Sequence, residues 1–474
     1  MHVRRSTLDR LVVPDAFQWL AGIEDTFITA PSPKTGRTLD EYELTEHYTR
    51  WEADLQLFAE LALRAVRYGI PWHRINPARD VWEFRWADEP LERLLDLGIA
   101  PIVDLVHYGL PAWIEGAYLN PDYPELVADY AARIAERFRG RIHTYTPLNE
   151  PRITAWYCGR IGWWPPFGRS WRGFVEVMLG VCRGIVRTVE RLREVDPEIL
   201  DVHVDATDLY EVASTATAAE AVSPILALES VSPLTLEVER RQQIVFLALD
   251  LVCGRVQPGH PLHAWLLQHG TDPATLEWLV DHAVEPDLIG INLYPMFSQK
   301  RLLSTRGGLR MRMRYATADI VETLADLYWR RYRRPLLISE TASVGSVRRR
   351  RAWLDSSVEA VARTRTRGVP LVGYTWWPLF ALVTWGYREG KKPPADYLYQ
   401  MGLWNLARDA SGLARVATPL VERYRELVSG GAREAGLLNA NGAHEAGLLR
   451  TSNRASPNSV DSPMPTAVGS GDVP

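Results

Sequence analysis

Short runs of apolar, β-favouring residues alternate with longer amphipathic stretches from about residue 16 to residue 429. That alternation packs helices around a parallel sheet, whose strands, buried on both faces, read as nearly unbroken apolar runs. Eight such runs are present: Phe17–Ile23, Ala65–Ile70, Ala100–His107, Ile142–Leu148, Val202–Thr207, Asp287–Asn292, Pro335–Glu340 and Val369–Trp376. The stretches between them carry helical periodicity, as at Glu46–Leu63, Leu91–Leu97, Pro124–Arg139, Trp171–Val195, Thr317–Arg331 and Val347–Arg367. Eight units close a ring more naturally than they fill an open sheet, so the expected fold is α/β, a single-domain (β/α)8 TIM barrel over 16–429.

Outside those limits the pattern stops. Residues 1–15 read as an N-terminal extension without the apolar stretch of a signal peptide. Residues 430–474 are rich in Gly, Ser, Asn and Pro and read as a disordered tail. The tail holds Glu-Ala-Gly-Leu-Leu twice, at 434–438 and 445–449, which reads as chance duplication in unconstrained sequence.

Composition narrows the function. The 474 residues are 46% hydrophobic and 24% charged, enough to build one large core. A formal net charge of −4 gives no basic surplus for phosphate neutralisation, so nucleic acid is not an expected partner. The arginine clusters at 330–334 and 348–351 sit among helix formers and read as solvated faces. Cys158, Cys182 and Cys253 have no metal-type spacing and read as buried thiols. With no apolar stretch of membrane-spanning length either, the expected location is cytoplasmic, away from any membrane. The sequence is silent on oligomeric state.

In such a barrel the reactive groups stand where strands end, on the mouth formed by the βα loops. His107 ends the third run, Asn149 and Glu150 the fourth, Asn292 and Tyr294 the sixth and Glu340 the seventh, while Trp376 and Trp377 close the eighth. A carboxylate at the end of an apolar strand is costly unless partnered, so two at one mouth imply placement for use. Two carboxyls separated by an open space suit glycosidic bond cleavage, one protonating the leaving oxygen while the other attacks or activates water. The chain's 18 tryptophans, several beside strand ends, can stack on sugar C–H surfaces.

These residues also form motifs. Thr146-Pro147-Leu148-Asn149-Glu150-Pro151, Ile338-Ser339-Glu340-Thr341, His107-Tyr108-Gly109-Leu110-Pro111, Pro71-Trp72-His73-Arg74-Ile75-Asn76-Pro77 and Asp287-Leu288-Ile289-Gly290-Ile291-Asn292-Leu293-Tyr294 occur together in this chain. So does Trp377-Pro378-Leu379-Phe380-Ala381-Leu382-Val383-Thr384-Trp385. Together they resemble glycoside hydrolase family 1, the β-glucosidase and 6-phospho-β-glycosidase group, over nearly all of 16–429, with the chain as a divergent member. The resemblance implies a retaining β-glycosidase with Glu150 as acid/base and Glu340 as nucleophile. It further implies that Arg74 neighbours the nucleophile, Tyr294 hydrogen-bonds it, and His107, Asn149 and Asn292 hold sugar hydroxyls. Trp377 and Trp385 border the sugar, and Trp163 and Trp164 form a leaving-group platform. No cofactor and no metal are needed, and the partner is a carbohydrate or glycoside.

Two departures bear on the substrate. The family's N-terminal Gln-x-Glu-Gly is represented only by Gly22-Ile23-Glu24-Asp25, leaving Glu24 as the substitute hydroxyl ligand. Thr384 stands where a glucosidase has Glu; with Lys391 it matches two of three positions of the 6-phospho branch, Pro393 standing in place of the third, a Tyr. A catalytically silent sugar-binding barrel and a transglycosylase using the same carboxylates remain alternatives at this level.

Overall fold

All eight apolar runs become strands. The computed structural model describes residues 17–213 and 232–430. We label the barrel strands β1 (Gln18–Ala21), β2 (Ala65–Gly69), β3 (Ala100–Asp104), β4 (Thr144–Thr146), β5 (Leu200–Ala206), β6 (Leu288–Asn292), β7 (Leu336–Thr341) and β8 (Leu371–Trp376). Every neighbouring pair is parallel. The order runs β1-β8-β7-β6-β5-β4-β3-β2, and a single parallel bridge between Gly22 and Arg67 joins its two ends into a ring. The N-terminal extension, and the tail beyond Gly430 with its repeat, lie outside the described residues.

The barrel interior is a plug of side chains. Leu20, Ala65, Ile102, Val202, Val204, Leu288, Leu337 and Val372 form a separate cluster sealed from solvent. A second, larger core fills the layer between strands and helices. The long helix Trp171–Val195 starts where Ser170 accepts from the Gly173 amide at 2.9 Å, and it packs on Tyr123–Arg137.

Three short strands absent from the sequence reading form an outlying sheet. Leu209–Val212 follows β5, and Gln299–Thr305 and Gly308–Arg314 follow β6, in the order Gly308–Arg314, Gln299–Thr305, Leu209–Val212. They leave the C-terminal ends of β5 and β6 and therefore stand on the mouth side. Arg301, Arg306, Arg310, Arg312 and Arg314 give this stretch a polar composition that hides its strand period. A hairpin of Trp404–Asp409 and Gly412–Ala417 was likewise not foreseen.

The arginine clusters correct an expectation. Arg350 is fully buried and donates to the Gly402 carbonyl (2.6 Å) and Asn405 Oδ1 (2.9 Å), tying the helix Val347–Thr366 to the C-terminal hairpin. Arg331 pairs with the buried Asp250, which also accepts from the Tyr332 hydroxyl at 3.0 Å. A helix face can look solvated in sequence and still turn one arginine inward, because the long stem reaches acceptors beyond the helix. The cysteines are free thiols, Cys158 and Cys182 buried and Cys253 half-buried. Among the described residues, no helix is long and apolar enough to cross a membrane.

Candidate active site

Glu150 sits at the mouth because its backbone is clamped on both sides. The amide of Asn149 donates to the Val106 carbonyl (2.9 Å), and the amide of Glu150 donates to the Val204 carbonyl of β5 (3.0 Å). Glu150 is the N-cap of the short helix Pro151–Ala155 and adopts φ 49°, a left-handed conformation that a glutamate holds only when its surroundings impose it. Glu340 is aimed by a different device. Leu337 faces the barrel interior, and simple alternation would send residue 340 toward the helix layer. A register shift in both pairings of β7, between Ile338 and Glu340 on one side and Ile338 and Thr341 on the other, breaks that alternation.

The two carboxyls have different partners. Arg67, on the inner face of β2, donates to Glu340 Oε1, and the Tyr294 hydroxyl donates to Oε2 at 2.7 Å. Asn292 Nδ2 donates to Glu150 Oε1 at 2.9 Å, and the Tyr108 hydroxyl donates to Oε2. Glu150 is 7% exposed and Glu340 4%, so both stand in a dry site where charge is expensive. Burial raises Glu340, with Arg67 pulling it down and Glu150 pushing it up, to about 8. Burial also raises Glu150, against the hydrogen bonds from Tyr108 and Asn292. Each carboxyl feels the other, so the two titrate together as a pair. The guanidinium and the phenol both contact Glu340, so of the two carboxyls it is Glu340 that has a cation to favour its ionised form.

Arg67 corrects the sequence reading of Arg74. Arg74 lies at the end of the single-turn helix Trp72–Ile75, beyond the strand, where it pairs with Glu43 at 2.8 Å and covers the Tyr48 ring. Arg67 shares the inner face of β2 with Ala65 and reaches Glu340, Asp104 and Asn149. A charged residue inside a buried parallel strand was the available signal.

Asn149 and His107 belong to the frame. The Asn149 Oδ1 accepts from Arg67 (2.7 Å) and from Asn292 (3.3 Å), while its Nδ2 faces His107 Nε2 (2.9 Å) and the Tyr108 hydroxyl (3.1 Å). His107 Nδ1 lies 2.5 Å from Asp25 Oδ1. Burial disfavours a charged ring, but Asp25 outweighs it and pushes the histidine well up, while burial raises Asp25 to about 6. A proton on Nε2 would face the Asn149 amide, whose orientation Arg67 sets. The neutral ring donating Nδ1–H to Asp25 satisfies every partner and is the form the geometry selects. Asp25, Asp104 and His107 could by spacing hold a cation, but Arg67 already supplies that charge to Asp104.

The remaining predicted residues divide. Glu24 lies in the site, accepting from Trp377 Nε1 (2.9 Å) and Thr26 Oγ1 (2.6 Å). Trp377 stacks beside His107 and under Arg67, and a Cβ on Gly22 would lie 2.1 Å from its ring, so this glycine is required by close approach. Trp164 is buried against Tyr157, Tyr108 and Trp385, making it a wall and not an open platform; Trp163 and Trp385 are half-buried. Thr384 is half-buried and pairs through its backbone with Tyr397, while Lys391 is exposed. The chain after Glu340 is held in place, since Thr341 accepts from Trp353 Nε1 at 2.9 Å and Ala342 is buried. Asp25, Arg67, Asp104 and Tyr108 are the site residues that the sequence reading missed.

The class defined by this fold and site is a (β/α)8 barrel with two partnered carboxyls at its mouth. The family model for glycosyl hydrolase family 1 matches residues 21–251, just under half of the chain, and the chain is similar to members of that family over this stretch. It is 36% identical over 143 residues to a bifunctional β-D-glucosidase/β-D-fucosidase of Bifidobacterium breve, covering 28% of this chain and 31% of that protein, so the match spans under a third of the relative's length. A longer match, 23% identical over 417 residues, covers 77% of this chain and 84% of an aryl-phospho-β-D-glucosidase of Bacillus subtilis. In structure, the chain is similar to the β-glucosidase of Thermotoga maritima in complex with castanospermine, with TM-score 0.72, 18% identity and coverage of 90% and 99% of the two chains.

Proposed function

We propose that this protein is a retaining β-glycosidase that hydrolyses an O-glycosidic bond through a covalent glycosyl-enzyme intermediate. The observation that carries the reading is the unequal partnering of the two carboxyls. Glu340, facing a guanidinium and a phenol, is the ionised nucleophile; Glu150, with no cation in direct contact, is the acid. Glu340 attacks the anomeric carbon while Glu150 gives its proton to the departing oxygen. Glu150 then takes a proton from water, which releases the sugar from Glu340. Nothing in the site favours a silent sugar-binding barrel, since both carboxyls keep their partners. The test is a 2-fluoro aryl β-glycoside followed by peptide mapping. A covalent sugar on Glu340 is expected; labelling of another residue sinks the assignment.

The sugar is unphosphorylated in this reading. Glu24 stands in the site, and Glu41, fully buried, is raised by burial and by Glu24, while Lys391 is in solvent. A dianion would add repulsion beside Glu41, which already resists ionisation. In a panel of aryl β-glucosides, the 6-phosphate form should be cleaved at least about tenfold less efficiently, a difference of roughly 1.4 kcal/mol. Faster turnover of the phosphorylated form would refute this substrate class.

A further inference from the structure

Tyr108 has an unusual position. It follows His107 at the mouth end of the third apolar run and holds φ 67°, a left-handed conformation that a bulky aromatic rarely adopts. The following Gly109 turns back so tightly that a Cβ there would lie 1.6 Å from the Phe27 carbonyl oxygen, and its amide donates to the His107 carbonyl at 2.9 Å. The ring is buried and held on three sides, with His107 at 4.7 Å, Trp164 at 5.1 Å and Trp385 at 5.3 Å between centroids. Its carbonyl accepts from the Tyr118 hydroxyl at 2.8 Å. A side chain held this firmly in a strained conformation is positioned for a purpose.

The phenol has one hydrogen, and its destination is settled by the neighbours. Asn149 Nδ2 points at the phenol oxygen at 3.1 Å, and that amide cannot be turned over because Arg67 donates to its oxygen at 2.7 Å. The phenol oxygen therefore accepts from Asn149, and its own hydrogen goes to Glu150 Oε2. Asn292 holds the other oxygen, Oε1, at 2.9 Å.

We propose that Tyr108 is a positioning residue of the acid/base carboxyl, and that its committed O–H···Oε2 bond sets how readily Glu150 parts with its proton. The inference rests on the acid/base role given to Glu150 above. A donor to a carboxylate favours the ionised form, so Tyr108 works against the burial that favours the protonated one. The other titratable or charged groups facing Glu150 are His107 beside Tyr108, Arg152 and Tyr157 on the helical segment that Glu150 caps, Tyr294 after β6 and Glu340 on β7. Among the described residues, the hydrogen bond to Oε2 is the one from Tyr108, and none of these other tyrosines, the arginine or the histidine donates there.

Tyr108→Phe keeps the ring and its packing and deletes only the donor. Loss of a hydrogen bond to a charged group should raise the Glu150 titration by roughly one pH unit. This is followed directly by 13C NMR of side-chain-labelled glutamate, with Glu150→Gln identifying the resonance, and needs no turnover. In kinetics, the alkaline limb of kcat/KM should move upward by the same amount. The loss of rate at neutral pH should be larger for a phenyl leaving group, which needs the acid, than for dinitrophenyl, which does not. An unmoved or lowered Glu150 titration overturns the proposal. So does an equal loss on both leaving groups with the limb unmoved, which a merely structural role would give. If the resonance shifts as expected while the wild-type protein cleaves no glycoside, the glycosidase reading fails and the Tyr108–Glu150 coupling stands.

Discussion

Glu340→Ala should lower kcat for aryl β-glycosides by at least about four orders of magnitude, because in the proposed mechanism Glu340 is the nucleophile and its loss removes the intermediate and not one contact to it. The variant should still fold. Arg67 keeps Asp104 as its counter-charge and Asn149 as an acceptor, so no unpaired cation is left in the barrel. The space vacated by the carboxylate lies beside a guanidinium and the Tyr294 hydroxyl, which is a setting for a small anion. Added azide should therefore restore turnover of an activated β-glycoside and yield the α-glycosyl azide, since Glu150 remains in place on the opposite side. Thin-layer or NMR analysis of the product decides it. Residual activity above about one per cent without azide would move the nucleophile elsewhere.

The second large effect concerns Arg67. Arg67→Met should reduce kcat by roughly 10²–10³, the scale of losing one preorganised charge partner. It should also cost about 3–5 kcal/mol of stability, because Asp104 is left buried without its cation. The direction of the pH change is fixed by linkage. Arg67 pulls Glu340 down, so its removal raises the pH at which the nucleophile becomes ionised, and the acid limb of kcat/KM moves to higher pH. Arg67→Lys keeps the charge but loses the fork that spans Glu340, Asp104 and Asn149, and should fall between the two. Arg74→Met, half-buried and away from Glu340, should leave the pH profile nearly unchanged. Rate, pH profile and thermal denaturation of the three variants check this; an unmoved acid limb in Arg67→Met would remove Arg67 from the nucleophile.

The barrel was legible because parallel strands covered on both faces leave long apolar runs, and each run found became a strand within a few residues. Glu150, Glu340, Asn292 and Tyr294 were legible for a related reason: polar residues at the ends of such runs have no structural purpose in a core. Arg67 carried the same signal inside a strand, but Arg74, beyond the end of that strand, drew the assignment through motif likeness. Tyr108 was not legible, since its role depends on a left-handed turn and on which way the Asn149 amide faces. Glu340 was identified by type and position, but not the register shift that aims it. The mouth-side sheet stayed hidden because its strands are short and arginine-rich, and strand period is weak when one face is charged throughout.

The ring has one seam. Seven junctions of the barrel are strand ladders, and the eighth is the single Gly22–Arg67 bridge. The residue on one side of that bridge is the cation that contacts Glu340; the residue on the other side makes room for Trp377. Local opening begins where cross-links are fewest. The first opening of this barrel would thus dismantle its chemistry while most of its secondary structure still stands, so catalytic power is a more sensitive gauge of the intact ring than any measure of helix content.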